Sequence, residues 1–241
     1  PAALTAHSFG EYAGLVAAGV LRFDQAFEAI ALREQACPPR HSAGYLLAVS
    51  SDPDQCGRSL DGVPFWVALK NSSSQSVLAL TWNNLLDAEA RLASQGIGFR
   101  RLSLPQPYHS PLLQSADHKL KQRLQERAFK LQKARTPFLS SVTGEWVTDT
   151  DSLPDILSKQ LSQTVDFAGQ IQKLQPIADT FIEIGSLSFL QPFILRSAPA
   201  AKTCFFGELL AHDASVSRKP ADGALDEEKL AGVRKLIARL T

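Results

Sequence analysis

The chain has 241 residues, 44% hydrophobic and 20% charged, and its 25 basic and 24 acidic residues leave a formal net charge of +1. That is enough chain to bury a core as one large domain or two unequal ones, and the even charge gives no electrostatic case for nucleic acid or an anionic membrane as partner. No apolar run could span a bilayer, and Cys37, Cys56 and Cys204 are too scattered for a disulfide framework or a zinc site, so no metal is expected and the cytoplasm is the expected compartment.

Residues 1–6 read as a short apolar strand running into Ser8; with no methionine anywhere, the expectation is that the protein's own start lies upstream. Residues 9–18 follow as a helix stopped by Gly19. Residues 23–36 form a second helix, with Phe23, Ala26, Phe27, Ile30 and Ala31 as its apolar stripe, Asp24 in its first turn, and Pro38 and Pro39 closing it. The rhythm then changes. A strand at 45–49, a helix at 53–60, strands at 65–69 and 77–80 joined by a polar turn, a helix at 85–94 and a strand at 97–104 give the order β-α-β-β-α-β, the split pattern of a ferredoxin-like unit. Beyond His109 the pattern predicts a helix over 115–130 and a strand over 138–142 with a turn at Thr143 and Gly144. Helices over 156–161 and 167–174 and a buried strand over 181–184 follow. Strands alternating with helices indicate an α/β fold with an at least partly parallel sheet. Residues 211–223 are polar and read as a linker, and 226–240 as a closing helix with Leu230, Val233, Ile237 and Leu240 on one stripe.

The chemistry starts at Ala6-His7-Ser8-Phe9-Gly10, a form of G-x-S-x-G with Ala in its first slot. A sharp turn from strand to helix holds such a serine in a strained backbone conformation, and larger residues two places either side would clash. The serine then sits where a helix begins, so the dipole and free N–H groups favour an anionic intermediate, with the Phe9 N–H as oxyanion donor. The plain alternative is a serine that caps a helix. An alcohol nucleophile needs a base. Of the five histidines, His7 adjoins Ser8 and points away from it at a tight turn, His118 and His212 lie in charged or polar stretches, and His41 sits in a loop. His109, fixed among Pro105, Pro107 and Pro111, is the candidate base; otherwise it is a residue at a helix start.

The string His7-Ser8-Phe9-Gly10-Glu11-Tyr12, with 15–21 after it, resembles the G-H-S-x-G-E block of malonyl-coenzyme A:acyl carrier protein transacylases and of polyketide synthase acyltransferase domains. The likeness continues to about residue 206. It implies a hydrolase-like α/β core with a parallel sheet, built from residues 1–43 and 106–206, with a ferredoxin-like subdomain inserted over 44–105 and a linker and C-terminal helix over 207–241. It implies that His109 is the general base and that the main-chain carbonyl of Gln160 orients it, in a segment where Thr164 stands in place of the usual proline; a Gln160 that merely faces solvent is equally open. Arg33, on its own an ordinary surface residue of a helix, becomes by the resemblance the group that holds the free carboxylate of a malonyl or methylmalonyl unit, although Glu34 replaces the glycine usual beside it. Tyr108 takes the position that selects the extender unit and favours malonyl, and His7 belongs to the substrate-binding set. The family's upstream Gly-Gln-Gly block has no counterpart in these residues.

The implied activity moves a malonyl unit from malonyl-coenzyme A to the phosphopantetheine thiol of an acyl carrier protein through an acyl-serine. It needs no bound cofactor, and its setting is a longer polyketide synthase chain. Two alternatives stand beside it: a hydrolase that edits acyl carrier proteins with the same Ser/His pair, and a silent docking domain.

Overall fold

The computed structural model describes residues 1–207 apart from 128, 130, 149–151 and 186. The expected linker and closing helix therefore lie outside the described residues. Two compact units, Pro1–Ile177 and Ala178–Thr241, divide the chain.

The first unit begins with β1 (Leu4–Thr5), which pairs in parallel with β6 (Phe138–Leu139), Leu4 opposite Phe138 and Thr5 opposite Leu139. Beyond the turn at Ser8 come α1 (Gly10–Ala17) and α2 (Phe23–Ala36). Gly19, at φ +79°, ends α1 as expected, because only a residue without Cβ takes that conformation without strain. Gly14 lets α1 lie on β6: a Cβ there would meet the Phe138 ring at 2.5 Å. The predicted apolar stripe of α2 is corrected. Ala26, Ala29, Leu32, Arg33 and Ala36 are buried, whereas Phe23 and Phe27 are 70% and 67% exposed and lie against each other at 5.7 Å. The helix buries its small face because α1 and α5 (Gln114–Glu126) approach it closely, and that turn carries Arg33 inward.

The middle of the unit is β2 (Tyr45–Val49), α3 (Pro53–Ser59), β3 (Trp66–Ser72), β4 (Gln75–Leu80), α4 (Trp82–Ser94) and β5 (Phe99–Arg101). Their strands lie in the order β5-β2-β4-β3 with every pairing antiparallel, the ferredoxin-like arrangement the sequence predicts. Alternate strand residues Leu47, Val49, Leu78 and Leu80 pack on Leu60, Leu85, Ala88 and Leu92 of the helical layer. Asp52 caps α3 by accepting from the Gln55 N–H at 2.8 Å, with Pro53 in the first turn. The expected last strand, 97–104, is only three residues long, and the helix expected at 85–94 starts at Trp82.

A 3₁₀ turn (Pro111–Leu113) leads into α5, which packs on α2 and on α6 (Leu153–Lys159). Then β7 (Val165–Asp166), which periodicity does not reveal, pairs in parallel with β3 and extends the sheet, and α7 (Phe167–Leu174) packs on β3. In the second unit β8 (Thr180–Glu183) pairs in parallel with β9 (Lys202–Phe205), and α8 (Gln191–Ser197) packs on β9. The buried Glu183 accepts N–H bonds from Phe189, Leu190 and Gln191 at 2.8–3.3 Å, a carboxylate at the start of α8. The strand expected to be buried at 181–184 is not uniformly so: Ile182 is 40% and Ile184 76% exposed. Among the described residues no helix is long and apolar enough to cross a membrane, and the three cysteines are unpaired.

Candidate active site

The turn between β1 and α1 holds Ser8 at φ +54°, a left-handed conformation that non-glycine residues rarely adopt. The turn closes tightly: the Gly10 N–H donates to the His7 carbonyl and the Glu11 N–H to the Ser8 carbonyl, each at 3.0 Å. A Cβ on Gly10 would lie 3.7 Å from that of Ala6, so the alanine in the first slot of the motif fits. No backbone acceptor among the described residues engages the Phe9 N–H, which lies at the start of α1.

Just behind the Ser8 turn, the Glu11 carboxylate is buried and accepts from Ser140 Oγ at 2.6 Å and from the Ser141 N–H at 2.8 Å. Burial pushes its pKa up, opposed by those two donors. The contact pins α1 to the turn that follows β6.

His109 lies 101 positions from Ser8 in sequence, yet its Nε2 is 2.6 Å from Ser8 Oγ. It too has a left-handed backbone, at φ +62°. Its loop is tied down at three points. Gln106 Nε2 donates to the Pro38 carbonyl at 2.6 Å, Ser110 Oγ to the Pro107 carbonyl at 2.6 Å, and the Ser110 N–H to the Leu161 carbonyl at 3.3 Å. The ring is buried, and loss of solvation lowers its pKa to about 3 from 6.5, with the nearby His7 and Arg33 acting the same way. The imidazole is therefore neutral over the ordinary pH range, and Ser8 donates to an unprotonated Nε2 when the ring's proton sits on Nδ1.

Gln160 lies inside the protein. Its side-chain Nε2 donates to the Ser8 carbonyl at 2.8 Å, so it is buried at the Ser8 turn and does not face solvent. The backbone carbonyl that raises the proton affinity of His109 belongs to Gln163, although no acceptor of full hydrogen-bond geometry meets Nδ1 among the described residues. The chain continues past α6 in a tight turn, with the Leu161, Ser162 and Gln163 N–H groups donating back to the carbonyls of Ser158 and Lys159. Thr164, in the place of the proline usual in the family it resembles, uses its hydroxyl to donate to the Val67 carbonyl at 2.7 Å.

Arg33 is only 4% exposed, and its guanidinium lies 4.1 Å from the Tyr108 ring centroid and 5.4 Å from that of Phe9. It reaches the site from the buried face of α2, one residue from Glu34, whose Oε1 accepts from its Nη1 at 2.8 Å. Burial raises the Tyr108 phenol pKa, an effect opposed by Arg33. His7 faces the other way: its Nε2–H donates to Asn71 Oδ1 of β3 at 2.8 Å, and its ring stands edge-on to Phe167 at 5.1 Å. Asn71, Gln163 and Gln106 escape a reading of the sequence alone. Asn71 is a buried amide within a strand, and only its long-range partner distinguishes it from a turn residue.

Over 223 residues the chain is 26% identical to a component of the polyunsaturated fatty acid synthase of Thraustochytrium sp., covering 89% of this chain and 8% of that one. Over 179 residues it is 32% identical to a non-reducing polyketide synthase of Penicillium aethiopicum, covering 71% of this chain and 10% of that one. The chain thus spans a tenth or less of the length of these relatives. Among solved structures, the acyl transferase domain of SpnD in complex with 2-(pent-4-yn-1-yl)malonyl is similar, with a TM-score of 0.74, 28% identity, and coverage of 85% of this chain and 50% of that one. The sequence model of the acyl transferase domain matches residues 1–205, and the chain belongs to the acyl transferase domain family.

Proposed function

We propose that this domain transfers a malonyl unit from coenzyme A to the phosphopantetheine thiol of an acyl carrier protein, with Ser8 as nucleophile and His109 as general base. One observation carries the reading: Ser8 Oγ and His109 Nε2, from distant parts of the chain, lie 2.6 Å apart at a strained turn beside the start of a helix. Ser8 attacks the thioester carbonyl while its proton passes to Nε2 of His109. The oxyanion of the tetrahedral intermediate accepts from the Phe9 N–H. The carbon–sulfur bond then breaks, coenzyme A leaves as its thiol with the proton from His109, and malonyl-Ser8 remains. The carrier's thiol repeats the sequence in reverse and frees Ser8. No bound cofactor enters this balance.

Arg33 is assigned to the malonyl carboxylate and Tyr108 to the wall that leaves little room for an α-branch, and His7 is assigned to the substrate-binding set through its hold on the Ser8 turn, its Nε2–H donating to Asn71 Oδ1. The buried guanidinium beside the Ser/His pair and the substituted malonyl bound by the SpnD domain both support a carboxylated acyl group. Residues 1–43 and 106–206 are the catalytic core and 44–105 its insert. By analogy with its relatives, the domain works within a longer polyketide synthase chain.

Intact-protein mass spectrometry after incubation with malonyl-coenzyme A tests the reading. A malonyl adduct is expected on the wild type and none on Ser8→Ala, with passage of the group to an acyl carrier protein faster than to water. Arg33→Ala should cut malonyl loading about tenfold or more beyond any loss in acetyl loading, the scale of a charge-assisted pair. An unlabelled Ser8 overturns the proposal, and release mainly to water turns it into a hydrolase.

A further inference from the structure

The Arg33 guanidinium already holds a carboxylate. Glu34 Oε1 accepts from Nη1 at 2.8 Å, and Tyr108 OH donates to the same oxygen at 3.5 Å. Tyr108 in turn stacks on the guanidinium and precedes His109 in the chain. The two partners differ in exposure: the Arg33 side chain is 5% exposed, that of Glu34 55%. Arg33 Nε is buried with no hydrogen-bond partner among the described residues. A buried cation left without an anion is costly, whereas a half-exposed carboxylate swings into water at little cost. The pair is therefore built so that one member stays and the other can leave.

We infer that Glu34 is a specificity-determining residue: its carboxylate occupies the arm of Arg33 that an acyl carboxylate needs, so malonyl loading exchanges one carboxylate for another. The inference rests on the reading of Arg33 as the carboxylate binder. The exchange has two consequences. A dicarboxylic acyl group gains only the difference between its own pairing and that of Glu34, and it also meets the negative charge of Glu34 as it enters. An acyl group without a carboxylate, such as acetyl, leaves the resident pair intact and carries no such handicap. Glu34 thus narrows the domain's preference for malonyl over acetyl.

The test compares Glu34→Gln with Glu34→Asp. The glutamine keeps the side chain's length and a neutral acceptor, and the aspartate keeps the charge. Glu34→Gln should raise the malonyl-to-acetyl ratio of kcat/KM by about two- to fivefold, the span set by an exposed ion pair, and should do so through the KM for malonyl-coenzyme A. Glu34→Asp should stay near the wild-type ratio. An unchanged or lower ratio in Glu34→Gln, or equal changes for both substrates, overturns the inference. Calorimetric Kd values for malonyl- and acetyl-coenzyme A, measured on Ser8→Ala with and without Glu34→Gln, decide the point without chemistry. An enzyme whose Ser8 is never acylated would sink the proposed transfer while this Kd ratio still judges Glu34. Thermal unfolding of each variant separates loss of selectivity from loss of fold.

Discussion

His109 is held neutral by its surroundings, and that has two measurable effects with definite signs. The unfolded imidazole takes up a proton below about 6.5, whereas the folded one refuses it down to about 3. Protons therefore favour the unfolded chain in that window, and the contribution of His109 to stability is complete above 6.5 and is lost as the pH falls toward 3. His109→Asn, which tolerates the left-handed backbone, should flatten the fall in Tm between pH 6.5 and 3 relative to wild type. A Tm slope unchanged by the substitution would show that the ring titrates normally. For the same reason the kcat/KM of acyl loading should show no step near pH 6.5. Ser8 and His109 were readable from sequence as a candidate pair because each stands in a local pattern, small neighbours around Ser8 and prolines around His109. The contacts of Glu34 and Gln163 were not, because they depend on side-chain direction and on the pitch of a turn, which residue spacing does not encode.

At the level of elements, α1 is fixed from below. Glu11 gives its carboxylate to Ser140 Oγ and the Ser141 N–H across 129 and 130 positions, and Gln170 Nε2 donates to the Ser140 carbonyl at 3.4 Å. Glu11→Ala leaves a buried hydroxyl and a buried N–H without an acceptor, which should cost about 1–3 kcal/mol for each group in urea unfolding. Glu11→Gln, which keeps an oxygen in place, should cost less; equal costs would mean that the carboxylate does not hold the turn. Element types were legible along most of the chain, and α2 shows where that legibility stopped. Its largest apolar residues mark one stripe, but the helix buries the stripe of alanines instead, since close helix packing rewards small residues over large ones. The two-residue strand β7 carries too few positions for any period to register.

In the first unit as a whole, the ferredoxin-like sheet is not closed by its own strands. β7, from the segment beyond His109, pairs with Leu69 and Lys70 of β3, the Thr164 hydroxyl donates to Val67, and His7 reaches Asn71 on the same strand. The Ser8 turn, the Gln160–Gln163 turn and the sheet therefore share one strand as common ground. This also decides what would happen to residues 44–105 made alone. Stripped of β7, β3 would present bare N–H and C=O groups along its outer side, a template for like chains to add to. The excised fragment should self-associate on size-exclusion chromatography, while one carrying a fused copy of residues 163–166 over that side should run as a monomer. A chain that keeps its own rim covered with a borrowed segment stays soluble only while the lender is attached.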